Sequence, residues 1–195
     1  MKTKQKEELK PMNVENIPTY LKVHASWCNF RYEERKGNMT KVPYNPATEY
    51  KAYVNKPDTF TDFETAVSAL KDYDGLGIRV DGIIIAIDLD HCIKDGKLTT
   101  QAADIVSHFK NTYIVRSPSE TGLRIILFVE NSYNYDKNNY YIKKGDIEVY
   151  VSGATNRFVT ITGNVYLDNE IVENTDPVMM NFREIATVSR TKNQY

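Results

Sequence analysis

The spacing of apolar and polar positions changes several times along the chain, and each change marks an element. Trp27 to Tyr32 alternates, which predicts a strand. A polar turn over 33–38, closed by Gly37, leads into an extended stretch at 39–46, where Pro43 and Pro46 exclude helix. Ile17-Pro18 suits the opening of a short helix near Asn16. Phe63, Ala66, Val67 and Leu70 fall at i, i+3, i+4 and i+7, predicting a helix over 58–71 capped by Thr61 or Asp62. Gly75 to Val80 reads as a strand. Asp81-Gly82 reads as a two-residue hairpin turn into a second strand, Ile83 to Asp88. The unbroken isoleucines of that strand imply burial on both faces.

A second helix is expected over 99–110, with Ala102, Ala103, Val106 and Phe109 as its apolar stripe. Further strands are expected at 112–116, 123–129, 147–151 and 158–162, and a C-terminal helix at 177–187. The segment 131–145 is polar and rich in tyrosine and asparagine, as an exposed insertion would be. Strands outnumber helices and neighbouring strands sit close in sequence. The expected class is therefore α+β, a mainly antiparallel sheet flanked by helices. Residues 1–14 read as a polar arm, 15–188 as one domain and 189–195 as a polar tail.

Composition narrows the function classes. The 195 residues carry a net charge of -1, so any nucleic-acid surface must be a local patch. The two cysteines, Cys28 and Cys92, form no CxxC, and His24, His91 and His108 form no zinc-type pair. The N-terminus is charged with no apolar run behind it, and the apolar stretch at 83–87 is far too short for a bilayer. The expectation is a cytoplasmic protein with no membrane partner.

Candidate chemistry begins where the isoleucine strand ends. Asp88 and Asp90 lie at i and i+2, and strand alternation would put both carboxylates on one face, about 7 Å apart at the α-carbons. Such a pair suits a shared divalent cation, and hard oxygen ligands favour magnesium or manganese. Two solvated aspartates closing a strand are the plainer alternative. Arg116 to Arg124 places hydroxyls, Gly122 and two arginines around a strand–loop–strand corner, the donor set a triphosphate needs, although an ordinary Ser-Pro turn has the same look. Asp146 and Glu148 share a strand face, either as an exposed edge or with Glu148 as a third metal ligand. Arg157 enters a β-branched strand that reads first as fold, and Lys41 is a lone loop lysine. Tyr140 to Lys144 mixes aromatics and positive charge, as a single-strand contact or a solvated loop would.

In order, these segments resemble the primase-polymerase domain of the archaeo-eukaryotic primase superfamily, in the form carried by phages, plasmids and mobile elements. The resemblance rests on Thr40-Lys41-Val42-Pro43-Tyr44, the segment 58–63, Gly75-Leu76-Gly77-Ile78, Asp88 with Asp90, Ser117 to Arg124, Glu148, and Arg157 to Gly163. It covers about residues 20–165. Arg124 stands where the superfamily usually has histidine, and no P-loop of a helicase is present.

The resemblance implies an RRM-like palm and template-directed nucleotidyl transfer by two-metal phosphoryl transfer. Asp88, Asp90 and Glu148 would be the catalytic metal ligands for Mg2+ or Mn2+. Ser117, Ser119, Thr121, Gly122, Arg124, Arg157 and Lys41 would bind the nucleotide. The implied partners are a single-stranded DNA template, NTP or dNTP substrates and a replicative helicase in cis or in trans. Two readings compete. One is a metal-dependent nuclease, which lacks here a lysine two residues after Glu148. The other is a non-catalytic nucleic-acid-binding replication module that keeps the fold.

Overall fold

The computed structural model describes residues 11–109, 112–128, 142–151 and 155–167. The expected C-terminal helix and tail, most of the N-terminal arm, and nearly all of the tyrosine-rich insertion lie outside the described residues. In chain order the helices are α1 (Thr19–His24), α2 (Phe63–Ser68) and α3 (Thr100–His108). The strands are β1 (Trp27–Arg35), β2 (Asn38–Tyr44), β3 (Gly75–Arg79), β4 (Ile84–Leu89), β5 (Ile93–Lys94), β6 (Lys97–Leu98), β7 (Tyr113–Arg116), β8 (Leu123–Phe128), β9 (Ile142–Lys144), β10 (Ile147–Val151), β11 (Phe158–Ile161) and β12 (Val165–Leu167). Every strand pairing among the described residues is antiparallel, so the class is α+β, as expected.

The chain divides into two compact units. One holds the residues up to Arg79 together with Arg157–Asn164; the other holds Val80–Asn156 and the chain from Val165. The first unit is built on a four-stranded sheet in the order β11-β3-β1-β2. Lys36 and Gly37, both with positive φ (52° and 79°), make the tight β1–β2 turn that glycine allows. Pro43 sits in β2, the end strand of that order, where a missing N–H costs least. Asp62 caps α2 by accepting the Thr65 N–H at 2.8 Å, while Thr61 bridges to Trp27 instead. The single helix expected over 58–71 is in fact α2 flanked by 3-10 turns at Pro57–Thr59 and Leu70–Asp72.

The second unit is built on a six-stranded sheet in the order β12-β7-β8-β4-β10-β9. All six residues of β4 and of β8 are buried, as the unbroken apolar run implied. Residues 85, 87 and 89 of β4 face a core shared with Ala102, Ile105 and Val106 of α3 and with Phe109, which follows the helix. The helical stripe therefore uses Ile105, and Ala103 is exposed, because one turn of 3.6 residues carries position 103 past the contact face. Thr99 caps α3 by accepting the Ala102 N–H at 3.3 Å.

One expected hairpin does not form. Asp81-Gly82 does make a turn, with the Ile84 N–H donating to Asp81 O at 2.9 Å. Yet β3 pairs with β1 and β11, while β4 pairs with β8 and β10. Both strands are apolar enough to be buried between neighbours of their own, so the turn passes from one sheet to the other. Among the described residues, no helix is long and apolar enough to cross a membrane.

Candidate active site

Asp88, Glu148 and Arg124 lie on the face of the six-stranded sheet opposite α3. Asp88 is the last residue of β4 on that face. Its register partners are Glu148 on β10 and Arg124 on β8. Glu148 in turn is paired with Lys143 on β9. The sheet thus carries one transverse row, Lys143–Glu148–Asp88–Arg124, with two anions in the middle and a cation at each end. Side chains directly opposed on antiparallel strands have β-carbons roughly 4.5–5.5 Å apart, and like charges so placed destabilise the sheet.

The flanking cations offset that repulsion. Arg124 Nη2 lies 3.4 Å from Asp88 Oδ2, and both side chains are nearly closed off from solvent, at 5% and 12% exposure. Lys143 Nζ lies 2.7 Å from Glu148 Oε1, with the lysine 56% exposed. The Tyr150 hydroxyl, two residues along β10 on the same face, donates to Glu148 Oε2 at 2.5 Å. Nε and Nη1 of Arg124 are buried and make no hydrogen bond. A guanidinium cannot shed its proton, so those donors carry a standing desolvation cost that an added anionic oxygen would relieve.

Asp90 departs from the expected alternation. The strand ends at Leu89, and Asp90 is an exposed turn residue whose N–H donates to Asp146 O at 2.8 Å. It lines a cavity of about 220 Å³ with His91, Cys92, Lys94 and Asp146, among others. Alternation holds only while the ladder continues, so it aligns Asp88 with Glu148 and does not extend to Asp90. Among the described residues, no three His, Cys, Asp or Glu side chains gather to hold a metal ion. As a donor set, Asp88 and Glu148 fit a hard divalent cation: two carboxylates on adjacent strands, on one face.

The Ser117–Gly122 loop joins β7 to β8. The backbones of Ser117 and Gly122 close it, the Ser117 N–H donating to Gly122 O at 2.9 Å. A hydroxyl chain runs along it, from Ser117 to Ser119 at 3.1 Å and on to Thr121 at 2.9 Å. Ser117 is buried, and Ser119 and Thr121 are exposed. The Gly122 N–H was expected to face a phosphate. It donates instead to Ser117 Oγ at 3.0 Å. Glycine is needed there for a different reason: a β-carbon would stand 2.7 Å from Leu89 O, so the loop lies directly against the end of β4.

Lys41 and Arg157 belong to the other unit. Lys41 is on β2 with its Nζ 6.0 Å from the centroid of the Tyr32 ring, and Arg157 is exposed just before β11. Lys143 and Tyr150 were missed as members of the carboxylate row. The polar content of 131–145 masked a strand, and only the β9–β10 register shows which residue faces Glu148.

No protein-family model matches the chain. It is 30% identical over 160 residues to a protein of Nitratiruptor phage NrS-1 named "DNA Primase-polymerase", an alignment covering 78% of this chain. The chain carries a primase-polymerase domain of phage type. It spans about a fifth (21%) of the length of that phage protein. In this primase-polymerase domain, the ordered segments that carried the resemblance take defined places. The Asp-x-Asp segment ends β4, the Ser-Pro-Ser-x-x-Gly-Leu-Arg segment is the β7–β8 corner, and Glu148 stands on the strand beside Asp88.

Proposed function

We propose that this primase-polymerase domain extends a nucleic-acid strand by template-directed nucleotidyl transfer in phage replication. The six-stranded sheet would serve as the palm that carries the chemistry. The observation that supports the reading best is the direct opposition of Asp88 and Glu148 in a buried part of the sheet. Two like charges side by side cost stability, and a divalent cation bound between them turns that cost into a binding site.

Asp88 and Glu148 would hold Mg2+ or Mn2+, with Asp90 reaching in from the turn. Bound there, one or two such ions supply Lewis-acid chemistry at the 3′-hydroxyl and the α-phosphate and neutralise charge on the departing pyrophosphate. The chain's own groups position the nucleotide. The hydroxyls of Ser119 and Thr121 are exposed and can turn from each other to phosphate oxygens. The Gly122 N–H fills one lone pair of Ser117 Oγ and leaves that hydroxyl's proton available along the chain. Arg124, with two buried donors lacking an acceptor beside Asp88, is suited to an anionic oxygen arriving at the row. The substrates would be NTPs or dNTPs and the template single-stranded DNA, with a helicase acting alongside. The name of the phage relative supports the nucleotide substrates and the DNA template. The site assignments are made for residues of the second unit alone.

The test is incorporation of labelled nucleotide on a single-stranded DNA template with Mg2+ or Mn2+, comparing the parent with Glu148→Gln. Product in the parent whose composition follows the template, with little in Glu148→Gln, supports the reading. Strand cleavage without synthesis, or equal product from both proteins, overturns it.

A further inference from the structure

We propose that Lys143 is an internal counter-ion of the carboxylate pair: its ammonium occupies Glu148 until a divalent cation displaces it. The inference rests on the metal reading above and names a control on that site. Among the described residues, each anion of the row has a cation on its outer side, and the two cations differ in their freedom to leave. Arg124 is 5% exposed and set between β4 and β7 in the sheet, so withdrawing it would strip a buried guanidinium of its carboxylate partner. Lys143 is 56% exposed and stands on β9, which ends the strand order of the sheet. Its long stem can swing the ammonium into solvent, where it is strongly hydrated.

Both oxygens of Glu148 are engaged, Oε1 with Lys143 Nζ at 2.7 Å and Oε2 with the Tyr150 hydroxyl at 2.5 Å. A neutral hydroxyl donor can stay while its acceptor also ligates a cation, since a carboxylate oxygen has a second lone pair. An ammonium at hydrogen-bond distance cannot, because it repels a divalent ion a few ångströms away. Loading is therefore an exchange, one divalent cation in and one ammonium out, with no covalent bond changed and no proton released. The exchange keeps the metal-free row near neutrality and holds back weak cation binding. It also releases a positive charge at the edge of the site when the metal arrives.

The experiment is a Mn2+ titration without nucleotide, read by the paramagnetic resonance signal of the free ion, on the parent, Lys143→Gln, Lys143→Arg and Glu148→Gln. An exposed ion pair is worth little, so Lys143→Gln is expected to bind Mn2+ roughly two- to fivefold tighter than the parent. Lys143→Arg should bind like the parent, and Glu148→Gln much more weakly. Parent-like or weaker binding by Lys143→Gln overturns the proposal while leaving the metal site standing. Absence of Mn2+ binding by the parent overturns the metal reading and this proposal with it.

Discussion

Replacing either member of the Asp88–Arg124 pair should destabilise the protein unequally. Asp88→Ala leaves a buried guanidinium, already short of partners at Nε and Nη1, with no carboxylate opposite it. Arginine cannot neutralise itself, so the full cost of an unpaired buried charge applies, about 3–5 kcal/mol. Arg124→Met removes one contact, long at 3.4 Å, which places its loss near the low end of about 1.5–3 kcal/mol. It also removes two buried donors without acceptors and fills the stem's volume with a flexible thioether. Asp88, left beside Glu148, can escape by taking a proton, an option arginine lacks. The net expectation is about 1–2 kcal/mol for Arg124→Met. For a chain of this size each kcal/mol shifts Tm by about 2–4 °C. Asp88→Ala should thus lower Tm by roughly 6–20 °C and Arg124→Met by roughly 2–8 °C. The double variant should cost less than the sum, with a coupling of about 1 kcal/mol or more. The assay is denaturant and thermal unfolding in chelator, at matched slope. Additivity within about 0.5 kcal/mol, or the reverse order of the two single variants, would refute the reasoning.

Other outcomes follow from the same structure. Gly122→Ala forces a β-carbon toward Leu89 O, an approach of 2.7 Å, and should cost about 1–3 kcal/mol in chemical unfolding while reducing nucleotide affinity by displacing the Ser117 loop. Burial pushes the Cys92 thiol up to about 11 and the fully buried Cys28 thiol higher still, so neither should react with a thiol reagent at pH 8 until denaturant is added. Glu33 is held below the ordinary carboxylate range by hydrogen bonds from Tyr44 and then Lys51. A depressed folded-state pKa gives stability that is present above the unfolded value, about 4.3, and lost as pH falls through the folded value. Glu33→Gln should therefore unfold with a flatter acid limb below about pH 4, while an unchanged acid limb would show that Glu33 contributes nothing there.

Much of the second unit was legible because its signals are local. The isoleucine run of β4 and the Asp88 near its end are read directly from pattern and composition. So are the turn residues of the β7–β8 corner. What was not legible depends on register and on where a ladder stops. The sequence cannot say that Lys143 stands opposite Glu148, because that needs a strand hidden in a polar tract. Nor can it say that Leu89 ends β4, which takes Asp90 out of the alternation. The Asp81-Gly82 turn has the chemistry of a hairpin turn, yet its strands enter different sheets, since strand partners are chosen by packing over the whole chain. Gly122 reads in the sequence as a phosphate donor, whereas the close approach of Leu89 O is what requires glycine there.

The central claim is that Asp88 and Glu148 form the working centre of a nucleotidyl transferase. Single-turnover nucleotide incorporation on single-stranded DNA with saturating Mn2+, by the parent and by Asp88→Asn, tests it most directly. Asparagine keeps an oxygen acceptor for Arg124, so the variant should remain folded, which its circular dichroism and melting curve verify. Template-dependent incorporation by the parent and at least a hundredfold loss in the folded Asp88→Asn variant are expected. Incorporation at the parent's rate by folded Asp88→Asn would contradict the claim.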